Sequence, residues 1–184
     1  MKSELRPDQQ ILELFRNDAT KEKAFALLMG EYQQPVYWLI RRMVMDHEDA
    51  NDLTQDTFVK IWHHLGEFRE ESKLFSWIYR IAANEALMFL KKQKVRSFIP
   101  FGKVEYKLRN SLQEDQYFKG DEVQRKLQQC IDMLPPQQKL IFTLRYYQEL
   151  KYEEMAEILK LSTGALKASY HHAVKKIEKN LLSL

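Results

Sequence analysis

An all-α fold is predicted by two features of this 184-residue sequence: its few turn-forming residues and the spacing of its apolar ones. The whole chain contains only five glycines and five prolines. Apolar residues recur at the three- and four-residue intervals of helices, whereas the strict alternation that marks half-buried strands is rare. With 45% hydrophobic residues, the chain can build helical cores.

The helical periodicity divides the chain into three segments. Residues 1–94 contain several helices rich in large apolar residues and form the first predicted domain. Residues 95–121 lose the periodicity and contain one proline and two glycines, so we interpret them as a flexible linker. Residues 122–184 regain the periodicity. The sequence therefore predicts two small helical domains joined by a linker.

Three helices are predicted within the last segment. Pro136 suits a first helical turn and starts a helix over about 136–148. Apolar spacing then predicts a short helix over 152–159, on which Glu157 and two other glutamates are expected to point outward. Ser162 is a favourable N-cap for a longer third helix. A short helix, a tight turn and a longer helix form a helix-turn-helix.

The last helix has one apolar face and one face of small, polar or cationic residues. The apolar stripe consists of Leu166, Tyr170, Ala173, Ile177 and Leu181. Past Leu161 there are four lysines against one glutamate. The other face suits a DNA groove, because small side chains permit close approach and lysines neutralise phosphates, although a solvated lysine face is the alternative. The candidate DNA-binding residues are Thr163, Gly164, Lys167, Ala168, Ser169, His171, His172 and Lys175.

An acidic stripe runs along the helix predicted for residues 47–65. Glu48, Asp52 and Asp56 follow an i, i+4, i+8 spacing, which aligns them on one side. They could form a solvated face, a docking strip for a basic partner helix, or the metal site of a helical enzyme. The metal site is disfavoured because stable sites take ligands from several elements and no HExxH motif is present. No metal or other cofactor is predicted.

Aromatic and cationic residues are interleaved in the segment "FSWIYRIAANEALMFLKKQK". Trp77 falls at an apolar helical position, whereas Arg80 and Asn84 fall at polar ones. Stacking surfaces, phosphate partners and an amide that reads a base edge are what binding of unpaired bases requires. Taken alone, a tryptophan and a tyrosine at helical spacing are more often part of an ordinary core.

Cysteine usage and the N-terminus favour a cytoplasmic protein. Cys130 is the single cysteine, which excludes an intrachain disulfide and fits a reducing compartment. The N-terminus lacks the apolar stretch of a signal peptide, and no run approaches the roughly 18 apolar residues that a membrane span needs.

Four segments, in this order and spacing, resemble bacterial RNA polymerase sigma factors of the extracytoplasmic function (ECF) type: "DANDLTQDTFVKIW", "FREESKLFSWIYRIAANEAL", "LPPQQKLIFTLRYYQEL" and "YEEMAEILKLSTGALKASYHHAVKKI". The resemblance covers roughly residues 20–92 and 122–180. It implies that the first domain is region 2, which binds core polymerase and opens the minus-10 box of the promoter. It also implies that the second domain is region 4, which reads the minus-35 box, and that the linker threads through polymerase.

The resemblance also implies residue roles. Core polymerase would contact Asp49, Asp52, Leu53, Gln55, Asp56 and Phe58. Recognition and melting of the minus-10 box would use Phe68, Arg69, Ser72, Trp77, Arg80 and Asn84. The candidate face of the last helix would read the minus-35 box.

Several positions depart from the family pattern. Glutamate or lysine stands where glycine is typical at Glu70, Glu149 and Lys160, which leaves open whether those turns keep a glycine conformation. Lys151 stands where a serine or threonine cap is usual. Because Ser169 and His172 replace common arginines, we expect Lys167 and the two histidines to provide more of the minus-35 contact.

The sequence thus predicts a transcription initiation factor without catalytic chemistry and without a small-molecule substrate. Its expected partners are the largest and second-largest subunits of core RNA polymerase, promoter DNA and, by resemblance, an anti-sigma factor. One alternative is a stand-alone helix-turn-helix regulator with an N-terminal effector or dimerisation domain. The other is a metalloenzyme that uses the acidic stripe.

Overall fold

The computed structural model describes residues 7–96 and 122–182, of which 94–96 are described by their backbone only, and within these ranges it contains helices and no strand. The helices are α1 (Pro7–Phe15), α2 (Lys21–Met43), α3 (His47–His64), α4 (Leu74–Arg96), α5 (Glu122–Asp132), α6 (Pro136–Phe142), α7 (Tyr152–Leu159) and α8 (Thr163–Leu181). The predicted all-α class is confirmed. Helix α4 extends two residues past the predicted end of the first domain, and the rest of the expected linker, 97–121, lies outside the described residues.

Helices α2, α3 and α4 pack around an apolar core, and α1 lies against α2. Asp46 caps α3 because its carboxylate accepts hydrogen bonds from the backbone N–H groups of Glu48 at 2.8 Å and Asp49 at 3.0 Å. The Tyr32 hydroxyl donates to Asp8 at 2.6 Å and ties α1 to α2. The Asp46 cap fixes the start of α3, the helix that carries the acidic stripe.

The helix-turn-helix has the predicted form. Helix α7 has the predicted bounds, and the Ser162 hydroxyl caps α8 by accepting from the Ala165 N–H at 3.2 Å. The predicted 136–148 helix is α6 extended by a π-helical turn, Thr143–Tyr147. The predicted apolar stripe of α8 is buried or half-buried except at its end, where Leu181 is exposed.

Three residues adopt the left-handed backbone conformation that glycine favours. They are Glu70 (φ 57°), Glu149 (φ 54°) and Lys160 (φ 56°), the three positions where the family resemblance led us to expect glycine. Lys160 ends α7, and its N–H donates to the Ala156 carbonyl. The turns therefore keep their shape without glycine, at a steric cost for residues that carry a Cβ atom.

The helices before and after the undescribed segment pack directly against each other. One continuous apolar cluster joins Leu39 and Ile78 of the N-terminal helices to Leu140, Met155 and Ile158 of the C-terminal ones. We call the helices α1–α4 the N-terminal lobe and α5–α8 the C-terminal lobe. Their contact is an interface with its own apolar core.

A buried ion pair lies at one edge of the contact between the lobes. The Lys139 ammonium donates to Asp132 at 2.6 Å and to the Met43 backbone carbonyl of the N-terminal lobe at 2.9 Å. The side chains of Lys139 and Asp132 are only 5% and 2% exposed. Nearby, the Arg42 guanidinium lies 3.4 Å from the centroid of the Tyr147 ring. Charge and aromatic contacts therefore reinforce the apolar contact.

Candidate functional sites

The acidic stripe on α3 is exposed to solvent. Asp52, Gln55 and Asp56 are exposed and Asp49 is half-buried. Leu53 and Phe58, by contrast, are 8% and 4% exposed and pack into the core of the N-terminal lobe. The predicted polymerase contacts of these two apolar residues therefore need correction, because their side chains hold α3 in place and offer no surface to a partner.

Electrostatic crowding characterises the start of α3. Burial raises the pKa of the Asp49 carboxyl above its ordinary value, and the carboxylates of Asp46, Asp52 and Glu48 raise it further. The negative charges thus repel one another in the free protein, and a cationic partner would relieve that repulsion. In the described part of the chain, no three His, Cys, Asp or Glu side chains converge as a metal site needs.

A cavity of about 640 Å³ lies beside the middle of α4. Trp77, Asn84 and Leu87 of α4 line it, together with Lys60 of α3. The Lys60 ammonium pairs with the Glu85 carboxylate at the cavity wall. The cavity combines an aromatic surface, an amide and a cation, which are the groups that bind an unstacked base.

The predicted minus-10 residues Phe68, Arg69 and Ser72 do not line this cavity. Phe68 packs against Trp77 with ring centroids 5.4 Å apart, but it lines a neighbouring cavity with Phe15 and Glu70. Arg69 is exposed and Ser72 is half-buried in the loop before α4. The structure thus brings Trp77 and Asn84 into one cavity and places Phe68 on the other side of the tryptophan.

Arg80 is not free to bind a ligand in this arrangement. Its guanidinium donates to two backbone carbonyls at the end of α7, that of Glu157 at 2.8 Å and that of Ile158 at 3.2 Å. The Glu157 carboxylate in turn accepts from the Lys73 N–H at 3.1 Å and the Ser76 hydroxyl at 2.9 Å, at the start of α4. The prediction that Glu157 points outward is therefore wrong, because α4 covers that side of α7.

The pKa of Glu157 reflects these contacts. Burial acts to raise it, but the hydrogen bonds from Ser76 and Lys73 and the charges of Lys73 and Lys160 outweigh burial, so the pKa lies below its ordinary value of 4.5. A carboxyl whose pKa is lowered on folding stabilises the folded chain above its unfolded pKa. That contribution is lost as the pH falls through the lowered value.

The outer face of α8 is open to solvent. Gly164, Lys167, Ala168, His171, His172 and Lys175 are exposed, and Thr163 and Ser169 are half-buried. The Lys167 ammonium lies 5.6 Å from the centroid of the Tyr152 ring. Leu166, Ala173 and Ile177 are buried on the opposite side. The predicted division of α8 into a buried and an exposed face is confirmed for these residues.

Comparison with known proteins identifies the family. The model of Sigma-70 region 2 matches residues 28–96, and that of Sigma-70, region 4 matches residues 124–177. RNA polymerase sigma-H factor of Pseudomonas aeruginosa is 30% identical over 96% of this chain and 95% of its own length. The ECF RNA polymerase sigma-E factor of Haemophilus influenzae is 30% identical over 96% of each chain. This chain belongs to the ECF sigma factors of the sigma-70 family.

The chain is therefore a transcription initiation factor that directs RNA polymerase to promoters, and the alternative of a stand-alone regulator is not favoured. Sigma factors are non-enzymatic regulators. None of the described helices is long and apolar enough to cross a membrane.

Two solved structures share the fold of this sigma factor. CnrH in complex with the cytosolic domain of CnrY has 18% sequence identity and a TM-score of 0.68, and the match covers 97% of this chain and 99% of CnrH. The sigma factor RpoE of Bartonella quintana, in complex with the anti-sigma factor NepR, has 22% identity and a TM-score of 0.64, over 88% and 98% of the two chains.

Proposed function

We propose that the lobes divide the work of initiation. In this proposal residues 1–94 bind core polymerase and open the minus-10 box, residues 122–184 read the minus-35 box, and residues 95–121 link the two. The matched family regions support this division, since region 2 matches residues 28–96, nearly all of them in the first segment, and region 4 matches residues 124–177. The factor itself carries out no catalysis and uses no cofactor or small-molecule substrate.

For the polymerase contact we assign the exposed polar residues of α3, Asp49, Asp52, Gln55 and Asp56. Aligned carboxylates on a solvent-exposed helix face suit a basic surface of polymerase, and their mutual repulsion makes such a partner favourable. Leu53 and Phe58 position the helix from beneath.

For promoter opening we assign the cavity beside Trp77 and Asn84. A base that leaves the stack loses a few kcal/mol of stacking and pairing, which an aromatic surface and an amide can offset. Arg69 and Ser72 lie in the loop that leads into α4, where they can contact the adjoining strand. Arg80 lies in the second turn of α4 and can reach that strand only when its hydrogen bonds to the Glu157 and Ile158 carbonyls are released. Phe68 orients Trp77.

For the minus-35 box we assign the outer face of α8. Its first turn presents the positive end of the helix dipole, and Lys167 is the first cation along that face. The lysines supply phosphate contacts, and the side chains at 169, 171 and 172 approach base edges.

We infer that the factor acts in the cytoplasm and has an anti-sigma partner. The solved relatives support the second inference, because one is in complex with the cytosolic domain of CnrY and the other with the anti-sigma factor NepR.

The observation that carries the polymerase assignment is the exposure of Asp52 and Asp56 on a helix whose other side is buried. Replacing both with lysine should lower the affinity for core polymerase by about 1 to 3 kcal/mol, because each reversed charge meets a like charge. Binding can be measured by fluorescence anisotropy of the labelled factor. Replacing the exposed Glu13 and Glu31 with lysine reverses the same charge elsewhere and should leave the affinity unchanged. Equal affinities for both double variants would remove α3 from the interface.

A further inference from the structure

The chain between α3 and α4 makes a left-handed turn at Glu70, where φ is 57°. A Cβ atom makes that conformation costly, and a residue stays in it only where the surrounding structure holds the backbone there. The Glu70 carboxylate pairs with the guanidinium of Arg16, which directly follows α1. An ion pair to another element therefore accompanies the strained turn.

The end of α1 that precedes Arg16 is a firm anchor. Phe15 is 7% exposed and packs edge-on against Trp62 of α3, with ring centroids 5.6 Å apart. The Arg16 N–H donates to the Leu12 carbonyl at 3.3 Å, so the backbone at Arg16 is tied to α1. The region 2 model matches residues 28–96, and this family match therefore assigns α1 no role.

The loop of residues 68–73, by contrast, has room to move. A cavity of about 320 Å³ lies between the end of α1 and this loop, and Phe68 forms part of its wall. Within the described part of the chain, Glu70 is the residue of 69–72 whose side chain forms a hydrogen bond or an ion pair. The contact with Arg16 therefore sets the position of the loop relative to α1.

Phe68 connects the position of the loop to the proposed base-binding cavity. Its ring packs against Trp77, with centroids 5.4 Å apart, and Trp77 lines that cavity together with Asn84. Glu70 lies only two residues after Phe68, so relaxation of the left-handed turn would displace the phenylalanine ring. The tryptophan surface offered to a base would then lose its support.

We propose that Arg16 is a positioning residue for promoter opening, because its ion pair with Glu70 holds the 68–73 loop in the turn that seats Phe68 against Trp77. This inference rests on the proposed base-binding cavity beside α4. Arg16 acts through Glu70 and does not contact the base. The two side chains of the pair are 69% and 52% exposed, so the pair contributes little to the stability of the whole chain. Its loss should change the loop and promoter opening while the melting temperature stays the same.

Trypsin measures the hold on the loop in the free, full-length factor. Arg69 is exposed, and mass spectrometry gives the rate at which the bond between residues 69 and 70 is cut. Arg16→Ala should raise that rate about two- to fivefold, the ratio that corresponds to the loss of an exposed ion pair. Arg16→Lys keeps the charge and should restore a rate near that of the wild type. The control Lys23→Ala removes an exposed positive charge from α2 and should leave the rate unchanged. Equal rates in Arg16→Ala and wild type would overturn the hold on the loop.

Promoter opening is measured on the holoenzyme formed by core polymerase and each variant. The probe is permanganate reactivity of unpaired thymines on a promoter that the wild-type holoenzyme opens. Arg16→Ala should lower the equilibrium constant for opening about two- to fivefold. In Glu70→Gly, glycine adopts the left-handed turn unaided, so adding Arg16→Ala should cause no further loss. A further loss in that background would show that Arg16 acts on DNA directly, which contradicts a positioning role.

Asn84→Ala distinguishes a failure of this inference from a failure of the proposed function. If Asn84→Ala weakens opening and Arg16→Ala does not, the positioning role is wrong and the base-binding cavity stands. If neither variant weakens opening, both the cavity and the positioning role are wrong. Weakened opening in both variants, with Arg16→Ala silent in the Glu70→Gly background, is the result expected from the structure.

Discussion

The two candidate DNA-binding helices differ in what surrounds them. Helix α8 packs through one stripe of apolar residues and leaves its small and cationic residues in solvent. Helix α4 packs on two sides, against α2 and α3 of its own lobe and against α7 of the other. Its polar residues Ser76 and Arg80 therefore hydrogen-bond to groups of the C-terminal lobe. The same kind of residue pattern thus produces one open surface and one covered surface.

This difference shows which contacts keep α7 packed over the polar residues of α4. Buried polar groups need partners, so the residues that are suited to bind DNA bind helix ends instead when no DNA is present. Removing contacts at the covered surface should lower the stability of the folded chain. Substitutions on the open surface should alter only the affinity for DNA. The predictions below test that contrast, from the largest expected effect to the smallest.

The largest effect is expected at the buried ion pair of the C-terminal lobe, at the edge of its contact with the N-terminal lobe. Lys139→Ala should lower the free energy of unfolding by about 3 to 5 kcal/mol, because it leaves the Asp132 carboxylate buried without its cation. Urea unfolding followed by circular dichroism measures this. The control is Lys176→Ala, which removes an exposed lysine that hydrogen-bonds to Gln138. This substitution should lower the free energy of unfolding by less than about 1 kcal/mol. Similar losses at both lysines would show that the buried ion pair contributes little stability.

A smaller effect, limited to promoter opening, is expected at the cavity beside α4. Asn84→Ala should leave recruitment to duplex promoter DNA nearly unchanged but weaken open-complex formation by about 1 to 3 kcal/mol, the usual range for an amide that reads a base edge. Permanganate reactivity of unpaired thymines measures the opening. Met88→Ala changes a neighbouring residue of the same cavity that has no base-reading group and is the control. A full bubble in the Asn84 variant would exclude this residue from the site.

On the open surface, Lys167→Ala should weaken promoter binding in one of two distinguishable ways. A lost phosphate contact lowers affinity on all promoters and reduces the salt slope by about one unit. A lost base contact costs about 1 to 3 kcal/mol at one base pair and relaxes preference there. Lys176 lies nine residues along α8 and hence on the opposite side of the helix, so Lys176→Ala is the matched control. If the two variants behave alike, the outer face of α8 does not read DNA.

The smallest effect is expected at the turn between α7 and α8. Lys160→Gly should stabilise the chain by about 0.5 to 1 kcal/mol, because the relief of left-handed strain exceeds the extra entropy that glycine loses. Lys160→Ala keeps the Cβ atom and should give no such gain. Thermal unfolding of the two variants compares them directly, and an equal or lower melting temperature for the glycine variant would contradict the strain.

Local features were predictable from the sequence, and contacts between distant residues were not. Apolar periodicity predicted α7 with its observed bounds, and the Ser162 cap marked the start of α8, because both depend on neighbours within a few residues. The family resemblance singled out the three positions with positive φ. The sequence predicts a solvent-facing Glu157, because nothing near it in the chain reveals its partners Lys73 and Ser76, which lie about eighty residues earlier.

The candidate sites show the same limit. Periodicity separated the two faces of α8, which has one packing surface. On α3 the implied polymerase contacts mixed exposed carboxylates with Leu53 and Phe58, whose burial depends on how α2 and α4 pack around them. Similarly, Arg80 was recognised as a polar position, but the partner that it binds in the closed chain belongs to the other lobe.

The most direct test of the central claim is the distance between the lobes before and after the factor is used. Spin labels on Glu13→Cys and Leu182→Cys should give a single short distance in the free chain, within the roughly 40 Å breadth of a compact molecule of this size. When the factor is bound to core polymerase on a promoter, the account predicts a distance well beyond that breadth, because each lobe then occupies its own promoter box. The same short distance in both states would contradict the claim that one DNA-binding surface is covered until the lobes separate.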